Sequence, residues 1–347
     1  FQPRRVRADL TGTLWSSYDF RAHVDFAGNR VDLLDAYLDA RFSPALRLRA
    51  GRFKAPVGLE RLQTPLTMPF TENALPTSLV PNRDAGVQLH GALGGGLADY
   101  ALGVFNGAVD GGSEEGDASD GKDVAARVFL RPFRRGGPAA LRGLGVGVAG
   151  TLGRQAGTAA APNLPAFRTS GRDVFFRYRS DGTTAGTAIA AGERVRLAPQ
   201  AYWSWGPVGV LGEYVVSRQE VQFAGAARTL THTAWNITGA LALTGEAAAY
   251  QGIVPRRRFD RSAGGPGAIE LVGRANGLAV DPAAFPLLAD PARSMRRATA
   301  LGAGVNWYLN RNVRLMLSWE RTRFTAASGG AARPAEQSVV SRFQVAF

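Results

Sequence analysis

Along most of this chain, apolar and polar positions alternate. In YDFRAHVDF, Tyr18, Phe20, Ala22, Val24 and Phe26 share one face at strand period, while Asp19, Arg21, His23 and Asp25 share the other. The scheme returns in LLDAYLDARF, ALRLRA, DVAARVFLR and RVRLAPQAYWSW. It returns again in VRLMLSWER, where Val313, Leu315, Leu317 and Trp319 oppose Arg314, Met316, Ser318 and Glu320. The closing SVVSRFQVAF puts Val339, Phe343, Val345 and Phe347 together. This pattern predicts strands near 4–14, 18–26, 33–42, 45–53, 84–93, 98–106, 123–133, 143–152, 193–205, 208–217, 232–244, 268–278, 298–309, 313–321 and 336–347.

The connections between these strands alternate too. Short links at 15–17, 43–44, 94–97, 206–207 and 310–312 take turns with long ones at 54–83, 107–122, 153–192, 218–231, 279–297 and 322–335. A soluble sandwich would have similar turns at both ends, whereas short turns on one side and long loops on the other are the layout of an outer-membrane barrel. Energetics then orient the faces. A lumen-type residue such as Arg21 turned into lipid would cost roughly 2–4 kcal/mol near the midplane. Repeated around a barrel, that exceeds the ~5–15 kcal/mol net stability of a typical protein. The apolar face therefore meets lipid, with Phe347 near the interface. Trp203, Trp205, Trp235, Trp307 and Trp319, all on apolar parity, are expected in outward girdles.

The expected fold is all-β: a single transmembrane antiparallel β-barrel over 1–347. Even strand numbers are the rule for such barrels, so sixteen strands are expected, fifteen visible and one upstream of Phe1. The stretch DVFFRYR at 173–179 would break the rhythm of short and long connections and is not taken as the sixteenth.

Composition narrows the chemistry. The 347 residues carry Lys+Arg 41 against Asp+Glu 28, a net charge of +13, and only Lys54 and Lys122 are lysines. Guanidinium forks in such number suit repeated contact with oxyanions. They are spread along the chain apart from runs such as Arg256, Arg257 and Arg258, and no zinc-finger, basic-region or RNP-like motif accompanies them, so nucleic acid is not the expected partner. Cysteine is absent, removing disulfides and thiolate metal sites. No stretch approaches the ~18 clean apolar residues of a membrane-spanning helix.

Several blocks resemble one family. DFAGNRVDLLDAYLDARFSPALRLRAGRFKAPVGLERL at 25–62, PNRDAGVQLHG at 81–91, YALGVFNG at 100–107, LTGEAAAYQGIVP at 243–255, GAIELVGR at 267–274, GVNWYLNRNVRLML at 304–317 and the ending RFQVAF look like the phosphate-selective porins O and P, in family order over nearly the whole chain. The resemblance implies a sixteen-stranded, homotrimeric channel of the bacterial outer membrane, set in outer-membrane lipid and lipopolysaccharide. It also implies that segment 54–83 folds inward as a constriction, with Arg61 at a position where relatives carry a basic residue. This chain departs from the family pattern at Asn73, since relatives read Glu-Arg where it has Glu72 and Asn73, and around Leu66, where a lysine is missing. A general preference for small anions is expected, without a site of phosphate grade.

By parity, Arg5, Arg7, Arg21, Arg47, Arg49, Arg127, Arg194, Arg196, Arg274 and Arg314 face the lumen and, with Arg61, form the expected anion path. An equally simple role for many of them is pairing with Asp9, Asp19, Asp25, Asp35, Asp39 or Glu320 across strands. Two other functions stand beside the open pore: a plugged barrel that accompanies an envelope complex, and an outer-membrane esterase or phospholipase. The three histidines, His23, His90 and His232, sit in no catalytic motif, and a lumen wall explains them more simply. The acidic run at 110–123 lacks EF-hand spacing and reads as a solvated loop tip, so no metal and no cofactor are expected.

Overall fold

In a computed structural model, residues 4–28, 30–114, 116 and 121–346 are described. One antiparallel sheet holds fifteen strands: β1 (Arg7–Leu14), β2 (Tyr18–Asp25), β3 (Asp32–Ser43), β4 (Leu46–Lys54), β5 (Arg83–Leu93), β6 (Ala98–Phe105), β7 (Asp123–Leu130), β8 (Gly145–Ala156), β11 (Ile189–Trp205), β12 (Val208–Phe223), β13 (Ala226–Ala242), β16 (Ala268–Ala279), β17 (Met295–Tyr308), β18 (Val313–Ala326) and β19 (Glu336–Val345). Each pairs with its neighbours in the chain, and β1 and β19 are the two edges. Two small hairpins stand apart, β9 (Ala166–Arg168) with β10 (Val174–Arg177), and β14 (Phe259–Asp260) with β15 (Gly265–Pro266).

The fifteen strands fall where alternation predicts them, but several run further. β12 and β13 consume most of the expected loop 218–231 and meet at a two-residue turn. Ala224 takes φ 48 and Gly225 φ 80 there, the left-handed pair that a tight hairpin requires. DVFFRYR contributes β10 to a hairpin outside the main sheet, in keeping with its exclusion from the wall strands. Phe347 lies outside the described residues.

The two faces of the sheet differ as the energetics demand. Mid-strand Ile237 is 57% exposed, and Leu102, Leu152, Leu197, Leu301 and Phe343 are exposed likewise, all on one parity. In water this band would be untenable; in lipid it is the contact surface. Trp205, Trp235 and Trp319 are exposed on the same face, and Trp203 and Trp307 share its parity at intermediate exposure. No described helix is long and apolar enough to cross a membrane.

The opposite, inner face carries inserted segments. Residues 55–82 hold a short helix, α1 (Leu59–Leu62), and a 3-10 turn at Leu75–Leu79. Prolines at 56, 65, 69, 76 and 81 fix φ along this segment. Beside it, the β9–β10 hairpin buries Phe167, Phe175 and Phe176, and Tyr178 just after β10 is buried with them. These rings pack on Val57, Leu75 and Leu79 of the inserted segment, on Val215, Leu230 and Ala234 of the wall, and on Ala284 and Leu288 of the 280–294 loop. The largest apolar core thus lies against the inner face of β11–β17 on the long-loop side.

Candidate functional site: the inner wall and its inserted segment

Wall side chains grip the backbone of segment 55–82 at many points. Glu213 accepts from the Leu59 amide at 2.8 Å, and Asn276 accepts from the Leu75 amide at 3.1 Å. Asn306 donates to the Pro69 carbonyl at 2.9 Å, and Thr71 and Ser318 share a hydrogen bond of 2.8 Å. From the short-turn side, the Tyr250 hydroxyl donates to the Leu59 carbonyl at 2.5 Å while Gln63 donates to the Tyr250 carbonyl at 2.7 Å. A segment without regular structure has many polar backbone groups to satisfy, and here the wall satisfies them.

Three of the expected anion-path arginines serve this grip. Arg274 donates to the Glu72 carbonyl at 2.8 Å and to Glu320 at 2.6 Å, with its guanidinium 4.2 Å from the Phe70 ring centre. Arg314 donates to the Met68 carbonyl at 3.1 Å and to Gln344 at 3.2 Å. Arg61 donates to the Thr77 carbonyl within the segment, and burial lowers its guanidinium pKa to about 10, so it stays charged at neutral pH. Burial likewise raises the neighbouring Glu60 carboxyl, against the opposing pull of Arg274 3.7 Å away.

On β1–β5 the expected arginines form a ladder with the acids of the same face. Arg7 bonds Asp25 at 2.7 Å, and Arg21 makes a two-pronged bond to Asp9 at 2.8 and 2.7 Å. Arg47 spans Asp19 at 2.7 Å and Asp39 at 3.0 Å, while Arg49 holds Asp39 at 2.6 Å and lies over the Tyr37 ring. Arg83 bonds Asp35 at 2.9 Å. His23 and His90 each face an aspartate, Asp35 at 3.1 Å and Asp39 at 3.0 Å. Of the two roles weighed from the sequence, these contacts display the pairing with acids across strands.

Arg194 and Arg196 are buried in a closed network. Arg196 bonds Asp110 at 2.6 Å and Asp123 at 2.8 Å, Arg194 bonds Asp123 at 2.9 Å, and both also donate to carbonyls at 107 and 108. Asp110 and Asp123, the ends of the acidic run, are thereby drawn onto the wall. Among the described residues no group of acids or histidines is arranged to hold a metal ion.

Two expected arginines remain without a hydrogen bond or ion pair among the described residues. Arg5 has none, and Arg127 has only the Phe129 ring, 4.8 Å from its guanidinium. Sequence reasoning passed over a third, Arg342, on the inner parity of β19, whose Nη1 is buried without a partner. Its signal was available, since Arg342 alternates with Phe343 as the other wall arginines alternate with theirs.

A many-stranded antiparallel sheet, apolar outside and charged inside with a segment folded onto its inner face, defines an outer-membrane β-barrel channel. The chain matches the family model of phosphate-selective porin O and P over residues 1–347, and it belongs to that family. No curated protein sequence matches it. Among solved structures it is similar to the outer membrane channel DcaP of Acinetobacter baumannii, with TM-score 0.59 and 9% identity, covering 100% of this chain and 85% of that one. It is also similar to the anion-selective porin from Comamonas acidovorans, with TM-score 0.56 and 11% identity over 99% and 89% of the two chains. A third likeness is to the trimer form of OmpT from Vibrio cholerae, with TM-score 0.55 and 12% identity over 98% and 88%. At such identities these likenesses show the fold alone, and the family match identifies the protein as an outer-membrane porin.

Proposed function

We propose that this porin lets small anionic solutes diffuse passively through a pore narrowed by segment 55–82, and that it works as a homotrimer. The observation that carries this reading is that Arg5, Arg127 and Arg342 have no ion-paired acid among the described residues, whereas the arginines of the β1–β5 ladder bond acids of the same face. In a passage with low-dielectric walls, unbalanced positive charge raises the local anion concentration. Guanidinium donors replace part of an anion's hydration as it passes. With Asn73 and Leu66 on the segment where relatives carry basic groups, the pore favours anions as a class over phosphate in particular. The zero-current potential across a KCl gradient tests it: anion preference is expected, and cation preference contradicts it.

A second reading has its own support. The core around Phe167, Phe175 and Phe176 fills space between segment 55–82 and the β11–β17 wall, which favours a barrel blocked on that side. Single-channel conductance separates the two, since a blocked barrel passes no measurable current. An enzymatic role finds no comparable support: His23 and His90 face aspartates, and His232 bonds the Tyr178 hydroxyl at 2.7 Å and the Asp281 amide at 3.1 Å.

A further inference from the structure

On the short-turn side, two segments leave the rim and attach to lipid-facing tryptophans. The indole Nε1 of Trp203 donates to the Ala140 carbonyl at 2.6 Å, and that of Trp307 donates to the Pro266 carbonyl at 2.9 Å. Both tryptophans stand on the apolar, outward parity of their strands. Each indole therefore fixes a turn segment at its own depth, and tryptophan sits at the headgroup level of a bilayer. The second segment adds an anchor: Phe259, 43% exposed, meets the Trp307 ring edge to face at 4.9 Å.

Both segments are strongly basic. Residues 131–144 contain four arginines and no acid, and residues 255–266 contain four arginines and one acid, so they carry +4 and +3 (4 − 1). The single acid, Asp260, is occupied by the Ser262 and Ala263 amides, with Arg258 3.7 Å away. Arg134, Arg135, Arg142, Arg257, Arg258 and Arg261 are all exposed. None of them lies on the inner face of a strand, so the anion path does not use them.

We propose that these two segments form a phospholipid-binding foot in the periplasmic leaflet, in which the six arginines bind the phosphates of anionic headgroups. The aromatic groups set the depth, and the guanidinium forks match phosphate oxygens in pairs. Ordinary solvated arginines would need no attachment to outward tryptophans. Here each basic segment is tied to one. Each basic residue held at an anionic lipid surface strengthens the attraction roughly fivefold, so six of them discriminate clearly between anionic and zwitterionic lipid.

Native mass spectrometry of the full chain released from detergent, with phosphatidylglycerol or phosphatidylcholine added, tests this directly. The wild-type chain is expected to retain phosphatidylglycerol roughly fivefold or more over phosphatidylcholine. The triple variants R134Q/R135Q/R142Q and R257Q/R258Q/R261Q should each lose part of that preference, and their combination all of it. Trp307→Phe, which removes the indole donor and keeps an aromatic ring, should weaken retention while leaving the arginines in place. Heat-modifiable migration and unchanged conductance would show that the variants fold and insert. Equal retention of the two lipids, an undiminished preference in either triple variant, or displacement of phosphatidylglycerol by millimolar inorganic phosphate would overturn the proposal.

Discussion

Arg274 reaches Glu320 through Nη2 at 2.6 Å and the Glu72 carbonyl through Nη1 at 2.8 Å, so a single guanidinium joins two wall strands to the inserted segment. Its side chain is 2% exposed and that of Glu320 6%. Removing one partner of a buried ion pair leaves the other charge uncompensated, at a typical cost of about 3–5 kcal/mol. Arg274→Ala is therefore expected to lower the unfolding midpoint in denaturant and to make open-channel current noisier, as segment 55–82 loses a tether. A variant as stable and as quiet as the wild type would show the tether to be dispensable.

The aromatic core makes a different demand. Phe176 stacks on Phe167 at 5.3 Å, and both are fully buried. Truncating a buried phenylalanine costs about 3–5 kcal/mol, part of it for the cavity left behind. Phe176→Ala should loosen the β9–β10 hairpin and raise single-channel conductance by opening space beside segment 55–82. Limited proteolysis within 157–188 gives an independent readout, with faster cleavage expected in the variant.

The ladder on β2–β4 reverses a naive expectation about its arginines. Asp39 is held by Arg47, Arg49 and His90 together. Arg47→Ala/Arg49→Ala removes two positive charges and also exposes Asp19 and Asp39 to the passage. The reversal potential should move toward cations by more than the loss of two unpaired charges would move it. The shift should shrink in 1 M salt, where the Debye length is about 3 Å against about 10 Å at 0.1 M.

Glu60 supplies the pH dependence. Burial raises its carboxyl above the usual range, although Arg274 and the Ala74 amide favour the charged form. A raised carboxyl is neutral in the folded protein at pH values where it ionises in the unfolded chain. The stability that depends on the neutral form is complete in acid and is lost as pH rises through the raised value. Acidification also removes a negative charge from the inserted segment, so anion preference should increase as pH falls. In Glu60→Gln that increase should be reduced; an equal increase in the variant would assign it to other groups.

How much of this could be read from the sequence follows from the range of the interactions. A wall strand declares itself through a period of two, so Leu197 and Arg196 reveal their faces within a few residues. The β12–β13 turn was less legible because Ala224, not asparagine or glycine, occupies its first left-handed position. In the β9–β10 hairpin, consecutive Phe175 and Phe176 are both buried, which breaks the alternation that marks a two-faced strand. The inward fold of 55–82 came from family resemblance, because its contacts with Glu213, Asn276 and Arg314 span more than a hundred residues. Parity placed these arginines on one face of their strands but did not give their partners. Arg49 and Arg127 have the same local pattern, yet only Arg49 has an aspartate across the ladder.

The proposal is that Arg5, Arg127 and Arg342, which have no ion-paired acid among the described residues, make this porin prefer anions. Its most direct test is the zero-current potential across a KCl gradient in a planar bilayer, recorded for the wild type and for Arg5→Gln/Arg127→Gln/Arg342→Gln. These substitutions remove three charges without freeing any acid, since none of the three is ion-paired among the described residues. The wild-type pore should prefer chloride over potassium, and the triple variant should lose most of that preference while conducting comparably. Cation preference in the wild type, or an unchanged potential in the variant, would contradict the account.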